Sequence, residues 1–335
     1  MELSGLYVPL VTPFTDDDRL DLDALATLAA AVLDEGAAGV VALGTTGEPA
    51  TLTRAEARQV VDVCAEVCAG HDRHLVVGTG TSSTAASVDL ITALDPRATA
   101  ALVAVPSYTR PSQEGVVEHV RRLAAAAPVP LVVYNVPYRT GLTLTADTLH
   151  RLADLPGVAG FKHTVGSIDD TTVTFLSALR PDVSVLAGDD LYAGPLISLG
   201  ARGAITASAN VAPCAYAELI EAWRHGPAHR ARTVHDALVP LTRALFAEPN
   251  PAVIKAVLAA DGRIASPRVR LPLLPASPDA LSAALASRDA LLGSLRAAGP
   301  AAAPAHRRTT GAPPTHHRAA HARTRGRSGG DLPRS

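Results

Sequence analysis

Apolar stretches of strand length recur along the chain, and between them lie longer segments in which apolar residues return every three to four positions. Eight of the short runs fit buried strands: LYVPLV (6–11), GVVALG (39–44), HLVVGTG (74–80), TAALVAVP (99–106), PLVVYN (130–135), VAGFKH (158–163), VSVLAG (183–188) and GAITAS (203–208). The intervening segments 22–33, 54–68, 84–94, 114–127, 146–152, 169–179, 191–199 and 213–223 read as amphipathic helices. Strands that are apolar almost throughout are buried on both faces, which a parallel sheet sheathed in helices provides. Eight βα units in succession predict an α/β fold, a closed (β/α)8 TIM barrel with no exposed sheet edge.

Three further helical patterns follow, near 227–247, 250–260 and 278–297, with the proline-rich SPRVRLPLLPASP before the last. The expected organisation is a barrel catalytic domain over 1–225, a C-terminal helical bundle over 226–299 and a tail over 300–335. The tail's Ala, Pro, His, Arg, Thr and Gly show no apolar period, so it reads as disordered.

Composition narrows the picture. A chain of 335 residues with 47% hydrophobic and 19% charged residues is globular, and its 3% aromatic content requires an interior of small aliphatic side chains. The formal charge of -2 conceals an asymmetry: the tail from Pro300 carries seven arginines against Asp331, leaving about -8 on the body. A body of that sign does not seek nucleic acid, and the tail reads as a solvated extension. Cys64, Cys68 and Cys214 make neither a disulfide framework nor a zinc site, and are expected to be buried reduced thiols. No secretory pattern opens the chain, and no window reaches about 18 uninterrupted apolar residues. The expectation is a cytoplasmic protein with no membrane partner.

Barrel enzymes carry their reactive groups at the carboxyl ends of strands. The second strand ends in GTTGE (44–48), where glycines let the backbone approach a ligand and two threonines offer hydroxyls and amides to an oxyanion. Taken alone, such a turn is often only a turn. Lysine says more: there are two, Lys162 and Lys255, beside 28 arginines, so ordinary surface cations here are arginine. Lys162 ends the apolar strand VAGFK. Unlike a guanidinium, an amine can be desolvated until it is neutral and condenses with a carbonyl; the competing reading is a lysine paired with a neighbouring acid. YNVPYRTG (134–141) supplies what such a lysine needs. Tyr134 can shuttle protons through a threonine hydroxyl, and Arg139 can clamp a carboxylate with two prongs. Asp189 and Asp190, after the seventh strand, either polarise the site or cap the next helix, with capping the favoured reading, and Lys255 is assigned no chemistry.

GTTGE, PSYTRPSQEG (106–115), YNVPYRTG, GFK, GDD (188–190), GAITASANV and EPNP (248–251), in this order and spacing from about residue 4 to 297, resemble the dihydrodipicolinate synthase and N-acetylneuraminate lyase superfamily. The resemblance implies a barrel that binds pyruvate as a Schiff base on Lys162, with no metal or other cofactor. It makes Thr45 and Tyr134 a proton relay completed by Tyr108 from a neighbouring subunit, hence a homo-oligomer, a dimer at least and a tetramer by pairing. Thr45 and Thr46 would hold the pyruvate carboxylate, Ile205 and Gly188 would line the pocket, and Arg139 would bind the carboxylate of aspartate semialdehyde, as in the synthase branch. The implied reaction condenses pyruvate with L-aspartate-4-semialdehyde to give 4-hydroxy-tetrahydrodipicolinate, for lysine and diaminopimelate biosynthesis. The main rival is a pyruvate-dependent aldolase of sugar acids, which shares Lys162, Tyr134 and Thr45 but typically lacks arginine at 139. A non-catalytic ligand-binding barrel would be expected to have lost one of those residues.

Several positions depart from the family pattern. His163 follows the lysine where the synthase branch usually has Asp or Glu, and is expected to be a hydrogen-bonding group behind the site. Ser107 replaces a tyrosine, Ser82 and Ala86 stand where lysine-sensitive members place an amide and an acid, and Pro49, Arg54 and Ala57 also differ. Feedback inhibition by lysine is expected to be weak or absent.

Overall fold

The computed structural model describes residues 2–297. The tail expected over 300–335 lies outside the described residues. In chain order the barrel runs β1 (Gly5–Pro9), α1 (Leu22–Asp34), β2 (Gly39–Ala42), α2 (Arg54–Gly70), β3 (His74–Thr79), α3 (Thr84–Thr92), β4 (Ala100–Ala104) and α4 (Gln113–Ala126). It continues β5 (Leu131–Asn135), a one-turn α5 (Pro137–Thr140), α6 (Ala146–Ala153), β6 (Val158–His163), α7 (Asp170–Ser177), β7 (Ser184–Ala187), α8 (Ala193–Ser198), β8 (Gly203–Ile205) and α9 (Pro213–His225). All eight strands are parallel and the barrel is closed, with β8 returning to β1 through Gly5 opposite Gly203 and Tyr7 opposite Ile205. At that seam the backbones nearly touch: a Cβ on Gly203 would lie 2.0 Å from the Gly5 carbonyl oxygen. After the barrel come α10 (Ala228–Leu245), α11 (Ala252–Ala260) and α12 (Pro278–Ala297).

Helix starts are set by short polar side chains that take up free amides of the first turn. Asp21, Ser83, Ser112, Thr145 and Asp169 each accept from a backbone N–H three residues on, and Thr53 with Glu56 forms a reciprocal capping box. Alternation along the strands sorts the core into two layers. Tyr7, Val41, Val76, Leu102, Val132, Tyr134, Leu186 and Ile205 fill the barrel interior, while Val40, Leu75, Ala101, Val133, Phe161 and Val185 pack outward against the helices.

The strands stop short of several of the apolar runs, for a local reason in each case. Leu10 still bonds the Val41 carbonyl, but the Val11 amide turns to the side chain of Asn210, so β1 ends at Pro9. β8 ends at Ile205 because the amides of Ala207 and Ser208 turn to the Asp190 carboxylate, starting a 3-10 turn over Ala207–Asn210. The helix expected over 191–199 opens as a 3-10 turn, Asp190–Tyr192, before α8. The turn α5, inside YNVPYRTG, has no counterpart in the apolar pattern.

Candidate active site

Within β6, Phe161 and His163 face the helix layer. Phe161 meets Phe175 edge-on at 5.0 Å, so the residue between them, Lys162, points into the barrel mouth. Its register partner on β5 is Tyr134, and Lys162 Nζ stands 4.5 Å from the centre of that ring. The lysine is 5% exposed, and among the described residues Nζ makes no hydrogen bond or ion pair. Burial brings its pKa down to about 8; the Asp190 and Asp189 charges oppose this and the Arg139 charge adds to it. An amine with that pKa is neutral in roughly one molecule in ten at pH 7. The surroundings therefore keep the amine dry and without a salt bridge, with a lone pair free in that neutral fraction.

Gly188, at the end of β7, makes the lysine's position possible. A Cβ there would meet Thr164 Oγ1 at 2.0 Å and Lys162 Cγ at 2.6 Å. Tyr134 is buried, which raises the pKa of its hydroxyl, while the Arg139 charge and the Thr45 and Thr164 hydroxyls pull the other way. Of those two hydroxyls Thr164 Oγ1 lies near Tyr134 without a well-directed bond, and it is a buried atom with no partner. Thr45 and Thr46 form the 3-10 turn Thr45–Gly47 at the end of β2. Thr46 Oγ1 accepts from Asn250 Nδ2 at 3.0 Å, which leaves its hydroxyl proton for another acceptor. Ile205 packs with Tyr134 and Leu186 in the interior cluster directly below.

A cavity of about 480 Å³ opens beside the lysine, lined by Arg139, Thr164, Gly188, Asp189, Asp190 and the segment Phe246–Asn250. Arg139, on α5, is exposed at its rim and its Nε donates to the Tyr138 hydroxyl at 3.1 Å. Asp189 and Asp190 are not the side-chain caps expected of them. The Asp189 side chain caps nothing, and the buried Asp190 carboxylate accepts from the amides of Ala207 and Ser208 at 3.2 and 2.6 Å. Burial raises the Asp190 pKa to about 6, partly offset by those bonds and by Lys162.

Lys162, Tyr134, Thr45, Thr46, Gly188, Ile205 and Arg139 thus converge on one mouth. Tyr108 does not: it is 95% exposed, with a left-handed φ of 67° that turns it away from its own barrel. Two residues at the site, Asn250 and Thr164, went unassigned from sequence, and a third, Asp190, was read chiefly as a cap. Asn250 was visible in EPNP, but its role depends on contact with Thr46, 204 positions away. Thr164 lies two residues beyond GFK and Asp190 is the last residue of GDD, and only their burial distinguishes them.

His163 lies behind the site, fully buried, and its position fixes its protonation. Thr172 Oγ1 donates to Asp169 at 2.8 Å, so at 3.1 Å it must accept from His163 Nε2–H. His163 Nδ1 is then the acceptor from Asn135 Nδ2 at 3.4 Å. Burial lowers the imidazole pKa to about 4, so near neutral pH it is an uncharged link in a chain from β5 to the start of α7. Among the described residues no three His, Cys, Asp or Glu are grouped as a metal site, and no helix is long and apolar enough to cross a membrane.

Residues 2–287 match the dihydrodipicolinate synthetase family. A 4-hydroxy-tetrahydrodipicolinate synthase of Thermomicrobium roseum is 40% identical over 289 residues, covering 85% of this chain and 94% of its own. The solved 4-hydroxy-tetrahydrodipicolinate synthase of Methylacidiphilum fumariolicum SolV superposes with a TM-score of 0.84 at 32% identity, over 88% of this chain and 98% of its own. The chloride-inhibited dihydrodipicolinate synthase of Acinetobacter baumannii, solved as a complex with pyruvate, gives 0.82 at 34% identity, over 87% and 99%.

Proposed function

Because the chain belongs to the dihydrodipicolinate synthetase family, we propose that Lys162 is the residue that captures pyruvate and that the side chains gathered round it divide the remaining work. The activity is that of a Schiff-base synthase, which condenses pyruvate with L-aspartate-4-semialdehyde to give 4-hydroxy-tetrahydrodipicolinate for lysine and diaminopimelate biosynthesis. The assignment to Lys162 rests on one observation above the others: a 5% exposed amine with no acid paired to it, pushed down to about 8 and standing over the ring of Tyr134.

The steps follow from that position. The neutral amine adds to the keto carbon of pyruvate, and the carbinolamine loses water to give a protonated imine. That cation acidifies the adjacent methyl group, and loss of a proton gives the enamine. The enamine carbon attacks the aldehyde of the semialdehyde, whose own amine then displaces Lys162 and closes the ring. Asp190, buried and beside Lys162, is a fixed negative charge that favours the iminium over the free amine. Tyr134 and Thr45 move the protons, Thr46 and its turn hold the pyruvate carboxylate, and Arg139 at the cavity rim holds that of the semialdehyde. An arginine at 139 favours this acceptor over a sugar acid.

The relay needs one more hydroxyl, and Tyr108, exposed on its own subunit, supplies it to a second copy. A dimer is then the smallest active unit, with a tetramer built from two. The barrel over 1–225 carries the chemistry and the helices after it support it. A cytoplasmic location is part of the same proposal, supported by three unpaired cysteines.

The test is borohydride reduction with pyruvate, followed by peptide mapping and then by competition among aldehyde acceptors. An adduct on the peptide holding Lys162, with turnover of aspartate semialdehyde, is expected. An adduct on any other nitrogen would overturn the assignment.

A further inference from the structure

We propose that the buried ion pair of Glu48 and Lys255 is a positioning pair, which holds the Thr45–Thr46 turn where the carboxylate of pyruvate needs it and so lets the helices after the barrel govern keto-acid binding. The proposal rests on the reading of that turn as the carboxylate's seat.

Glu48 directly follows the turn and has left-handed backbone angles, φ 54° and ψ 40°. For a residue with a side chain this costs about 1 kcal/mol, and glycine would remove the cost. The side chain must therefore offset it. Its carboxylate is 1% exposed and fully engaged: Oε1 accepts from Lys255 Nζ at 2.6 Å and Oε2 from the Arg270 amide at 2.9 Å. Lys255, on α11, is 0% exposed, donates a second bond to the Arg268 carbonyl at 2.7 Å and lies 4.1 Å from the centre of the Phe14 ring.

From the segment after the barrel, Asn250 donates to Thr46 Oγ1 at 3.0 Å. Arg270 Nη1 reaches the following 3-10 turn, Pro49–Thr51, donating to the Thr51 carbonyl at 3.0 Å. From the barrel, Thr12 Oγ1 donates to the Gly47 carbonyl at 2.7 Å. The turn that offers its hydroxyls to the substrate is thus held both from the barrel and, directly and through Glu48, from the segments after it.

Stability alone does not call for such a pair, since well-packed apolar side chains of equal volume usually serve as well or better. One thing they could not do is direct a carboxylate at both α11 and the Arg270 amide, fixing the peptide between Gly47 and Glu48. Lysine suits the position because a compact ammonium reaches carboxylate, carbonyl and ring at once, beside the Arg270 guanidinium that already lies 4.3 Å from the centre of the same Phe14 ring.

The test compares wild type, Glu48→Gln and Lys255→Met in steady-state kinetics and thermal melts, with borohydride trapping on wild type as a control. Each variant is expected to raise KM for pyruvate about tenfold or more, with kcat falling less than about threefold and KM for the semialdehyde unchanged. Glu48→Gln keeps an acceptor for Lys255, so it decides the matter if Lys255→Met does not fold. A merely structural pair would lower the melting temperature and the active fraction but leave KM for pyruvate unchanged, and that result would overturn the proposal. If wild type itself gave no trapped adduct on Lys162, the reading of the site would have failed instead.

Discussion

The chain's two lysines are both buried, both lie over an aromatic ring and both have amines whose pKa burial pulls down, yet their surroundings are opposite. Lys255 has a carboxylate at 2.6 Å and a carbonyl at 2.7 Å; Lys162 has neither. Burial brings both amines to about 8, so the ease of losing the proton does not separate them. At Lys255 a carboxylate and a carbonyl occupy the nitrogen, so the amine acts as a strut; at Lys162 the negative charge is a step away, on an Asp190 whose oxygens are engaged by backbone amides, so the nitrogen is open to a substrate carbonyl. Burial alone therefore does not make a nucleophile. What separates the two is whether a direct partner occupies the nitrogen.

Exchanging each lysine should give opposite signatures, and the largest effect is at the barrel mouth. Lys162→Arg is expected to cut turnover by about a thousandfold or more, because a guanidinium stays protonated and cannot form the imine. Its folding stability should change little, since no direct partner is lost. Activity near wild type in the purified variant would sink the contrast.

Lys255→Met should do the reverse to stability. It strands a buried carboxylate, a loss of about 3–5 kcal/mol in denaturant unfolding, whereas Glu48→Gln with Lys255→Met should recover much of that because no lone charge remains. If the double variant were no more stable than Lys255→Met, the pair would not be acting as a pair.

The same two lysines show how far the sequence could be read. Lys162 was legible because it ends an apolar strand in a chain whose ordinary cations are arginine; the parity that sends Phe161 and His163 outward and the lysine in came from the structure. Scarcity against arginine marked Lys255 equally, but the partner that explains it is 207 positions away, and no local pattern carries that contact. Asp190 failed differently. An acid at the start of a turn looks the same whether it caps its own turn or reaches across to the amides after the next strand, and only tertiary structure separates them. Barrel order was plain from the apolar runs. Strand ends were not, because side chains such as Asn210 and Asp190 end the pairing. Tyr108 came from resemblance alone, since in this subunit it touches nothing of the site.

A weaker comparison sets His163 against Asp190, two buried groups on opposite sides of the strand ends. The folded pKa of His163, about 4, lies below its ordinary 6.5, so between those values the unfolded chain binds the extra proton and stability is lost as pH falls. Asp190 runs the other way: its folded pKa, about 6, exceeds the ordinary 3.8, so the folded state gains the proton and stability rises as pH falls. The two nearly cancel in the parent. His163→Gln, which keeps a hydrogen-bonding group but cannot titrate, should uncover Asp190, gaining on the parent by about 2 kcal/mol between pH 7 and pH 4.5. An equal stability difference at both pH values would show that His163 does not stay neutral in the fold.

The smallest expected effect tests whether the turn beyond Glu48 has a second use. By the family resemblance, lysine-sensitive members have an amide and an acid where this chain has Ser82 and Ala86. Ser82 Oγ instead donates to the Ser107 carbonyl at 2.9 Å, tying two loops of the same subunit together, and Ala86 offers no charge. Arg54, close beyond the Thr45–Thr46 turn, would repel an ammonium group rather than hold it. L-lysine should therefore leave the steady-state rate unchanged, so that the turn is governed by Lys255 within the chain and not by free lysine from outside. An inhibition constant in the millimolar range or tighter would contradict this, and would mean that the face around Ser82 recognises an amino acid through groups other than those two.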